Sequence, residues 1–193
     1  MTEQLQAFFN DPKIKQKYLK QIQQHYKLDE IVHGIYWENG RGCAVGCLIH
    51  DSDHKRFETE LGLPEWLAHL IDFLFENLSN GKAKEFPVQF IKSVNVGANY
   101  DIMYNEFVLF LLQEICKLDK EQYPDISKTI STIINYHKEI VDTNDLDAVS
   151  DSDWSTAWSA AWSAAWSTAW SAARSAAIEK ISEKLLELLK KYD

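Results

Sequence analysis

The sequence predicts an all-α fold, an irregular helical bundle that ends in one long C-terminal helix. All four prolines and all seven glycines lie before residue 125, so no helix breaker follows that point. Apolar residues recur at helical spacing before it, and from Trp154 the chain repeats a four-residue unit of Trp, Ser and Ala. The one strand signal is Asn39-Gly40, which favours a small hairpin.

Prolines mark the start of several helices in the bundle. Pro12, with Asp11 as its cap, predicts a helix that runs to about Tyr26. Further helices are expected from Pro64 to the pair Asn80-Gly81, from Pro87 through Val94, from Tyr100 to Leu118, and from Pro124 to about Val141. The sequence therefore divides into a helical body at 1–141, an acidic linker at 142–150, and a long repeat helix at 151–193.

The composition narrows the class of protein. The 193 residues carry 29 acidic and 20 basic side chains, a net charge of −9, which argues against a general nucleic-acid binder. Three cysteines are too few for a disulfide framework. The first residues lack the features of a secretory signal, and the uncharged repeat is too rich in Ser and Thr for a membrane span. We therefore expect a cytoplasmic protein with reduced thiols and no membrane partner.

The repeat places five tryptophans four residues apart: Trp154, Trp158, Trp162, Trp166 and Trp170. A period of four exceeds the helical period of 3.6, so the indole stripe rotates by about 40° per repeat. Exposed indoles would favour aggregation, and we expect these to be covered by protein. Three arrangements remain open: the repeat helix packs on the body, it forms a homodimer with a second copy, or it binds another protein partner.

The main candidate for chemistry is a cluster in the segment 42–54, with the members Cys43, Cys47, His50, Asp51, Asp53 and His54. Cysteine and histidine are the residue types that zinc prefers. On one straight helix, however, four ligands cannot surround one ion. We therefore predict close packing of small residues, with Gly42 and Gly46 letting a neighbouring helix approach, and no bound metal or cofactor. A functional thiol or histidine in this cluster remains the alternative.

The segment GCAVGC, then the residues from His50 to His54, then ELGLPEWLAHLIDFLFENL resembles a group of uncharacterised bacterial and phage-borne proteins. That group has a GCAVGC…ELGIP block and an Ala-rich C-terminal helix of four-residue repeats. The resemblance covers about residues 30–115 and the tail, although Trp in the repeat departs from the group. The Ala-rich tail is also similar to that of proposed immunity proteins of bacterial toxin systems, which implies an all-α fold.

Two functional hypotheses follow from the sequence. The first is a non-enzymatic protein-interaction module of the inhibitor, immunity or anti-defence type, because the chain is acidic, has an apolar repeat and shows no catalytic motif. The second is a small metal- or thiol-dependent enzyme or sensor that uses Cys43, Cys47, His50 and His54. The first hypothesis predicts the five repeat tryptophans as the interaction residues.

Overall fold

A computed structural model describes residues 4–116, 124–146 and 174–192 of the chain. Within these ranges the predicted all-α fold is confirmed, because the one sheet there is a two-stranded hairpin. No helix in the described ranges is both long enough and apolar enough to cross a membrane. The helices are α1 (Pro12–Lys27), α2 (Ala44–Ile49), α3 (Glu65–Asn77), α4 (Asn80–Ser93), α5 (Asp101–Cys116), α6 (Pro124–Thr143) and α7 (Arg174–Lys191), and the strands are β1 (Trp37–Glu38) and β2 (Arg41–Gly42).

The chain divides into two compact units. The first, unit 1, comprises Met1–Tyr100 with Ile178–Asp193, and the second, unit 2, comprises Asp101–Ala177. These bounds differ from the predicted division at 142–150, because α5 packs against α6 while the end of α7 belongs to the first unit. The indole repeat at 154–170 lies outside the described residues.

Helix α1 begins as predicted. The Asp11 side chain accepts a hydrogen bond from the Lys13 backbone N–H at 2.8 Å, which satisfies one donor of the first turn. Its buried face contains Tyr18, Ile22 and His25 and lies against α2 and α4. A histidine in the last turn of α1 is therefore directed into unit 1.

The boundary between α3 and α4 differs from the prediction. Asn80-Gly81 does not end α3 but begins α4, since the break comes earlier, at two extended residues, Leu78 and Ser79. Pro87 lies inside α4 instead of opening a helix. A proline there removes one helical N–H donor, and the surrounding turns continue the helix on both sides.

The hairpin forms at the predicted pair. Asn39 and Gly40 both have positive φ angles, 51° and 82°, as the tight turns that suit the strand twist require. The segment before the hairpin runs along the start of α2, where the Cys43 N–H donates to the Ile35 carbonyl at 2.6 Å. Tyr36 and Trp37 are thereby held over α2.

Helix α7 packs into unit 1 through Leu185, Leu188 and Leu189, which are fully buried. The Tyr100 hydroxyl donates to the Leu189 carbonyl at 3.2 Å, and Asn95 Nδ2 donates to the Tyr192 carbonyl at 2.8 Å. In unit 2, α5 and α6 pack together. The described part of the chain therefore contains two separate helical cores.

Candidate functional site

The segment around α2 is buried, including every residue from 42 to 49. A Cβ atom on Gly46 would lie 1.4 Å from the Tyr36 carbonyl oxygen, and one on Gly42 would lie 2.1 Å from the same atom. Both glycines are therefore required for close approach, as the sequence suggested, although the neighbour is the loop at Tyr36 and not a helix. This contact fixes the loop against α2.

The two ends of α2 carry polar side chains in different surroundings. Cys43 is the N-terminal cap, and its Sγ accepts a hydrogen bond from the Gly46 N–H at 3.4 Å. His50 follows the helix in a left-handed conformation with φ 53°, and its N–H donates to the Gly46 carbonyl at 2.8 Å. Each end of α2 lies beside a separate group of side chains.

The Cys43 cluster comprises Cys43, Tyr36, His54, Asp72 and Glu76. One ligand atom each from Cys43, Asp72 and Glu76 lies within 4.8 Å of the other two. The Tyr36 hydroxyl donates to Asp72 Oδ2 at 3.2 Å, and His54 Nε2 lies 3.7 Å from the same oxygen. The loop, α2, the turn after α2 and α3 thus bring a thiol, two carboxylates, a phenol and an imidazole together.

Two buried atoms of the Cys43 cluster have no hydrogen-bond partner, His54 Nε2 and Asp72 Oδ1. The His54 residue is 9% exposed, and its ring stacks on the His69 ring with centroids 4.1 Å apart. A buried polar atom without a partner costs about 1–3 kcal/mol. These two unpartnered atoms therefore lower the stability of unit 1.

Burial sets the protonation of the thiol. It raises the pKa of Cys43 to about 12, and the Asp72 carboxylate beside the sulfur raises that pKa further. Burial, followed by the charge of Asp72, also raises the pKa of the Tyr36 phenol. Without a cation nearby, Cys43 is a neutral thiol at neutral pH and not a reactive thiolate.

The His50 cluster lies at the other end of α2 and comprises His50, His25, Glu30, Gln21 and Trp37. The His25 and His50 Nε2 atoms are 3.0 Å apart, and His25 Nδ1 lies 2.7 Å from Glu30 Oε2. The Trp37 indole stacks on the His50 ring with centroids 4.1 Å apart and an interplanar angle of 15°. Burial and the neighbouring His25 lower the pKa of His50, which keeps it neutral at neutral pH.

The cluster predicted from the sequence is thus split by the structure. Cys43 and His54 belong to the Cys43 cluster and His50 to the other, while Cys47 donates from Sγ to the Gly42 carbonyl at 3.3 Å. Burial raises the pKa of Cys47 to about 12.

The remaining two predicted members, Asp51 and Asp53, shape the turn after α2. Asp51 accepts from the Ser52 N–H at 2.6 Å and from Arg56 Nη1 at 2.5 Å, and Asp53 accepts from the Lys55 N–H at 3.1 Å. Backbone hydrogen bonds hold the pKa of Asp51 below its ordinary value. These two carboxylates therefore have a structural role in the turn that carries His54.

Sequence reasoning missed Asp72, Glu76 and Tyr36. Asp72 and Glu76 lie four residues apart on α3, a helix whose other side chains in this stretch are mostly apolar. Two like charges at that spacing disfavour a helix. That local conflict was the available signal, and in the structure Asp72 accepts from the Tyr36 hydroxyl and Glu76 from the Gly34 N–H.

The fold and the two clusters define an all-α protein in which metal-ligand side chains gather at both ends of one short buried helix. A scan against family models and searches of curated proteins and of solved structures found no match to this chain.

Proposed function

We propose that this protein binds one divalent transition-metal ion in the Cys43 cluster, with zinc as the best match, and acts as a metal-responsive module. The observation that carries the proposal is the convergence of ligand atoms from Cys43, Asp72 and Glu76 within 4.8 Å. The prediction of no bound metal rested on ligands from one helix alone. Asp72 and Glu76 supply further ligands from a second helix, α3.

The donor set suits zinc, which is bound by cysteine sulfur, histidine nitrogen and carboxylate oxygen. In a tetrahedral site with bonds of about 2.1 Å, neighbouring donor atoms are about 3.4 Å apart. His54 Nε2 lies 3.7 Å from Asp72 Oδ2, so a small side-chain adjustment makes it the fourth ligand. The resulting set is one sulfur, one nitrogen and two carboxylates.

A bound cation also offsets the negative charge of the two carboxylates and gives the unpartnered buried atoms of the cluster a partner. Asp72 Oδ1 and His54 Nε2 are both buried and lack hydrogen-bond partners. The carboxylate oxygen has a lone pair to offer, and the ring nitrogen has one in the neutral tautomer that carries its proton on Nδ1. A bound divalent ion displaces the Cys43 thiol proton in spite of the raised pKa, because the ion stabilises the thiolate directly. Binding is then coupled to proton release and to stability of the fold.

Four protein ligands favour a structural or sensing role over catalysis, because catalytic zinc sites keep one position open for water or substrate. Within the cluster Cys43 is 1% exposed, Asp72 is partly exposed and Glu76 is exposed. Glu76 accepts hydrogen bonds from the Gly34 N–H at 3.0 and 3.1 Å, and Asp72 accepts one from Tyr36. Metal occupancy therefore controls how firmly the loop is held, and the reduced thiol that binding needs is consistent with the predicted cytoplasmic location.

Cobalt binding tests the proposal on the full-length protein. Chelator-treated protein titrated with Co²⁺ is expected to show one equivalent with a thiolate-to-cobalt charge-transfer band and an intense tetrahedral d–d band. Zn²⁺ is expected to displace the cobalt. Cys43→Ser should abolish the charge-transfer band, and Asp72→Asn should weaken binding by about tenfold or more.

Cys47→Ser is the matched control, because Cys47 is equally buried on the same helix but bonds only to backbone carbonyls. It should retain the cobalt spectrum. Circular dichroism establishes that each variant is folded. Absence of stoichiometric binding in the wild-type protein, or loss of the band in Cys47→Ser with retention in Cys43→Ser, would overturn the proposal.

The protein-interaction hypothesis is the second candidate, as an inhibitor or immunity-type partner or as a homodimer through the C-terminal helix. It is supported by the repeat tryptophans and by exposed apolar side chains in unit 1, including Leu28 at 57% and Tyr36 at 46% exposure. Truncating the chain would be a poor test, since α7 packs into unit 1.

The better variant replaces all five repeat tryptophans with serine in the full-length chain. Light scattering should then show a fall from dimer to monomer if the repeat mediates self-association. An unchanged mass would remove the homodimer from consideration. Affinity capture with wild-type and variant protein as bait separates a different protein partner from a dimer.

A further inference from the structure

We infer that His25 and His50 form a second metal site, built for an ion that prefers imidazole ligands at a right angle, of which Cu²⁺ is the strongest binder. The site is at the C-terminal end of α2 and shares no residue with the Cys43 cluster. It therefore does not depend on the function proposed above.

The geometry of the two imidazoles selects the class of ion. Their Nε2 atoms are 3.0 Å apart. Two metal–nitrogen bonds of about 2.0 Å that span this distance enclose an angle of about 95°. Tetragonal ions such as Cu²⁺ and Ni²⁺ bind imidazoles at about 90°, and Cu²⁺ has the highest affinity in the divalent series.

Glu30 prepares His25 as a ligand. Its Oε2 lies 2.7 Å from His25 Nδ1, and a proton on Nδ1 donates to it. The 3.0 Å contact between the two Nε2 atoms holds one further proton, which a bound ion displaces. Most metal-binding histidines donate their other ring N–H to a carboxylate or carbonyl in this way. The pair therefore has an outer partner as well as two facing nitrogens.

Gln21 does not block the site. Its Nε2 lies 3.2 Å from His50 Nε2, but the two amide hydrogens have closer acceptors in the carbonyls of Cys47 at 2.9 Å and Leu48 at 2.7 Å. No hydrogen remains to cap the imidazole. His50 Nε2 therefore has His25 Nε2 as its remaining partner.

Both rings are held in place before an ion arrives. The Trp37 indole stacks on His50 and contacts the edge of the His25 ring, with centroids 5.4 Å apart. His50 has φ 53°, a left-handed conformation that is unfavourable for most non-glycine residues. His25 is buried while His50 is exposed, so an ion approaches from solvent and retains water in its other positions.

Pulsed electron paramagnetic resonance tests the site with Cu²⁺ alone as the probe. The Cys43→Ser protein is used, because it lacks the sulfur ligand of the first centre. One equivalent of Cu²⁺ is expected to show two equatorial imidazoles. His50→Gln should leave fewer than two and weaken binding by about tenfold or more, whereas Glu30→Gln should keep both imidazoles at about tenfold lower affinity.

His33→Gln is the matched control, because His33 is exposed and its ring packs on Phe75, away from the pair. Its copper spectrum should equal that of the parent. Zero or one equatorial imidazole in the parent protein, or an unchanged spectrum in His50→Gln, would show a hydrogen-bonded pair only and would overturn the inference.

A second measurement uses wild-type protein, in case Cys43→Ser does not fold. Nitrogen-15 histidine spectra recorded with Zn²⁺ beyond one equivalent should shift the Nε2 resonances of His25 and His50 and leave those of His33 unchanged. Unshifted His25 and His50 resonances would also overturn the inference. The cobalt–thiolate band reports on the Cys43 cluster alone, so failure of one proposal is distinguishable from failure of the other.

Discussion

The two compact units surround their buried histidines with different chemical groups. In unit 1, His54 lies 3.7 Å from an Asp72 oxygen and His25 lies 2.7 Å from a Glu30 oxygen. In unit 2, the fully buried His137 meets a neutral amide, with its Nδ1 2.9 Å from Asn105 Oδ1. Unit 1 therefore places its buried histidines beside carboxylates, whereas the buried histidine of unit 2 has an amide partner.

This difference determines which charges each unit accommodates around its histidines. Burial lowers the pKa of His137 to about 4, so unit 2 holds a neutral imidazole inside its core. Unit 1 instead places carboxylates and a thiol beside its histidines, and the proposed metal binding rests on this arrangement. Variants in each of the two units test this comparison.

The largest expected effect comes from Gly46→Ala, which removes the close approach that assembles both clusters. The new Cβ would meet the Tyr36 carbonyl at 1.4 Å, so the backbone must move. We expect unit 1 to lose about 3 kcal/mol of stability or more, measured by denaturant unfolding. Gly81→Ala, where nothing lies within 4 Å, is the control and should be neutral or slightly stabilising. Equal stabilities of the two variants would contradict the close contact.

The next largest expected effect is the pH dependence of the stability of unit 2. The folded pKa of His137, about 4, lies below the reference value of 6.5, so the unfolded chain takes up the proton first as pH falls. Stability from this group is complete above pH 6.5 and declines between pH 6.5 and 4, by about 3 kcal/mol in total.

Hydrogen exchange of α5 and α6 peptides, corrected for intrinsic rates, measures this loss separately from unit 1. His137→Gln should reduce the pH dependence in that window. A wild-type profile that is flat from pH 6.5 to 4 would mean that His137 is charged or accessible in the folded state.

The smallest effect concerns the conflict within the Cys43 cluster. Without metal, Asp72→Asn should raise the stability of unit 1 by about 1 kcal/mol, because it removes a partly unpaired buried carboxylate and its repulsion from Glu76. With saturating Zn²⁺ the order should reverse, since the wild type gains more from binding. Asp53→Asn, in the turn after α2, is expected to change neither value, because its amide oxygen still accepts from the Lys55 N–H. A metal-free Asp72→Asn that is less stable than the wild type would assign Asp72 a purely structural role.

The helices were predictable because their determinants are local. Asp11 and Pro12 start α1 wherever it packs, and Asn39-Gly40 turns the chain without help from distant residues. The boundary at Asn80-Gly81 and the position of Pro87 were wrong, because tertiary contacts carry α4 through two residues that locally favour a break. Tyr26, four residues after the buried Ile22 on α1, is 43% exposed, and the adjacent His25 takes the inward position.

By itself the sequence determined the all-α class, the caps and the hairpin, and it identified Cys43, His50 and His54 as residues of interest. Only the tertiary structure decided that Cys43 meets Asp72 and Glu76, and that His50 meets His25. Local rules concern neighbours a few residues apart, whereas these ligands come from segments about 20–30 residues apart in the chain. Their meeting depends on how α1, α2 and α3 pack and on the absence of a side chain at Gly42 and Gly46.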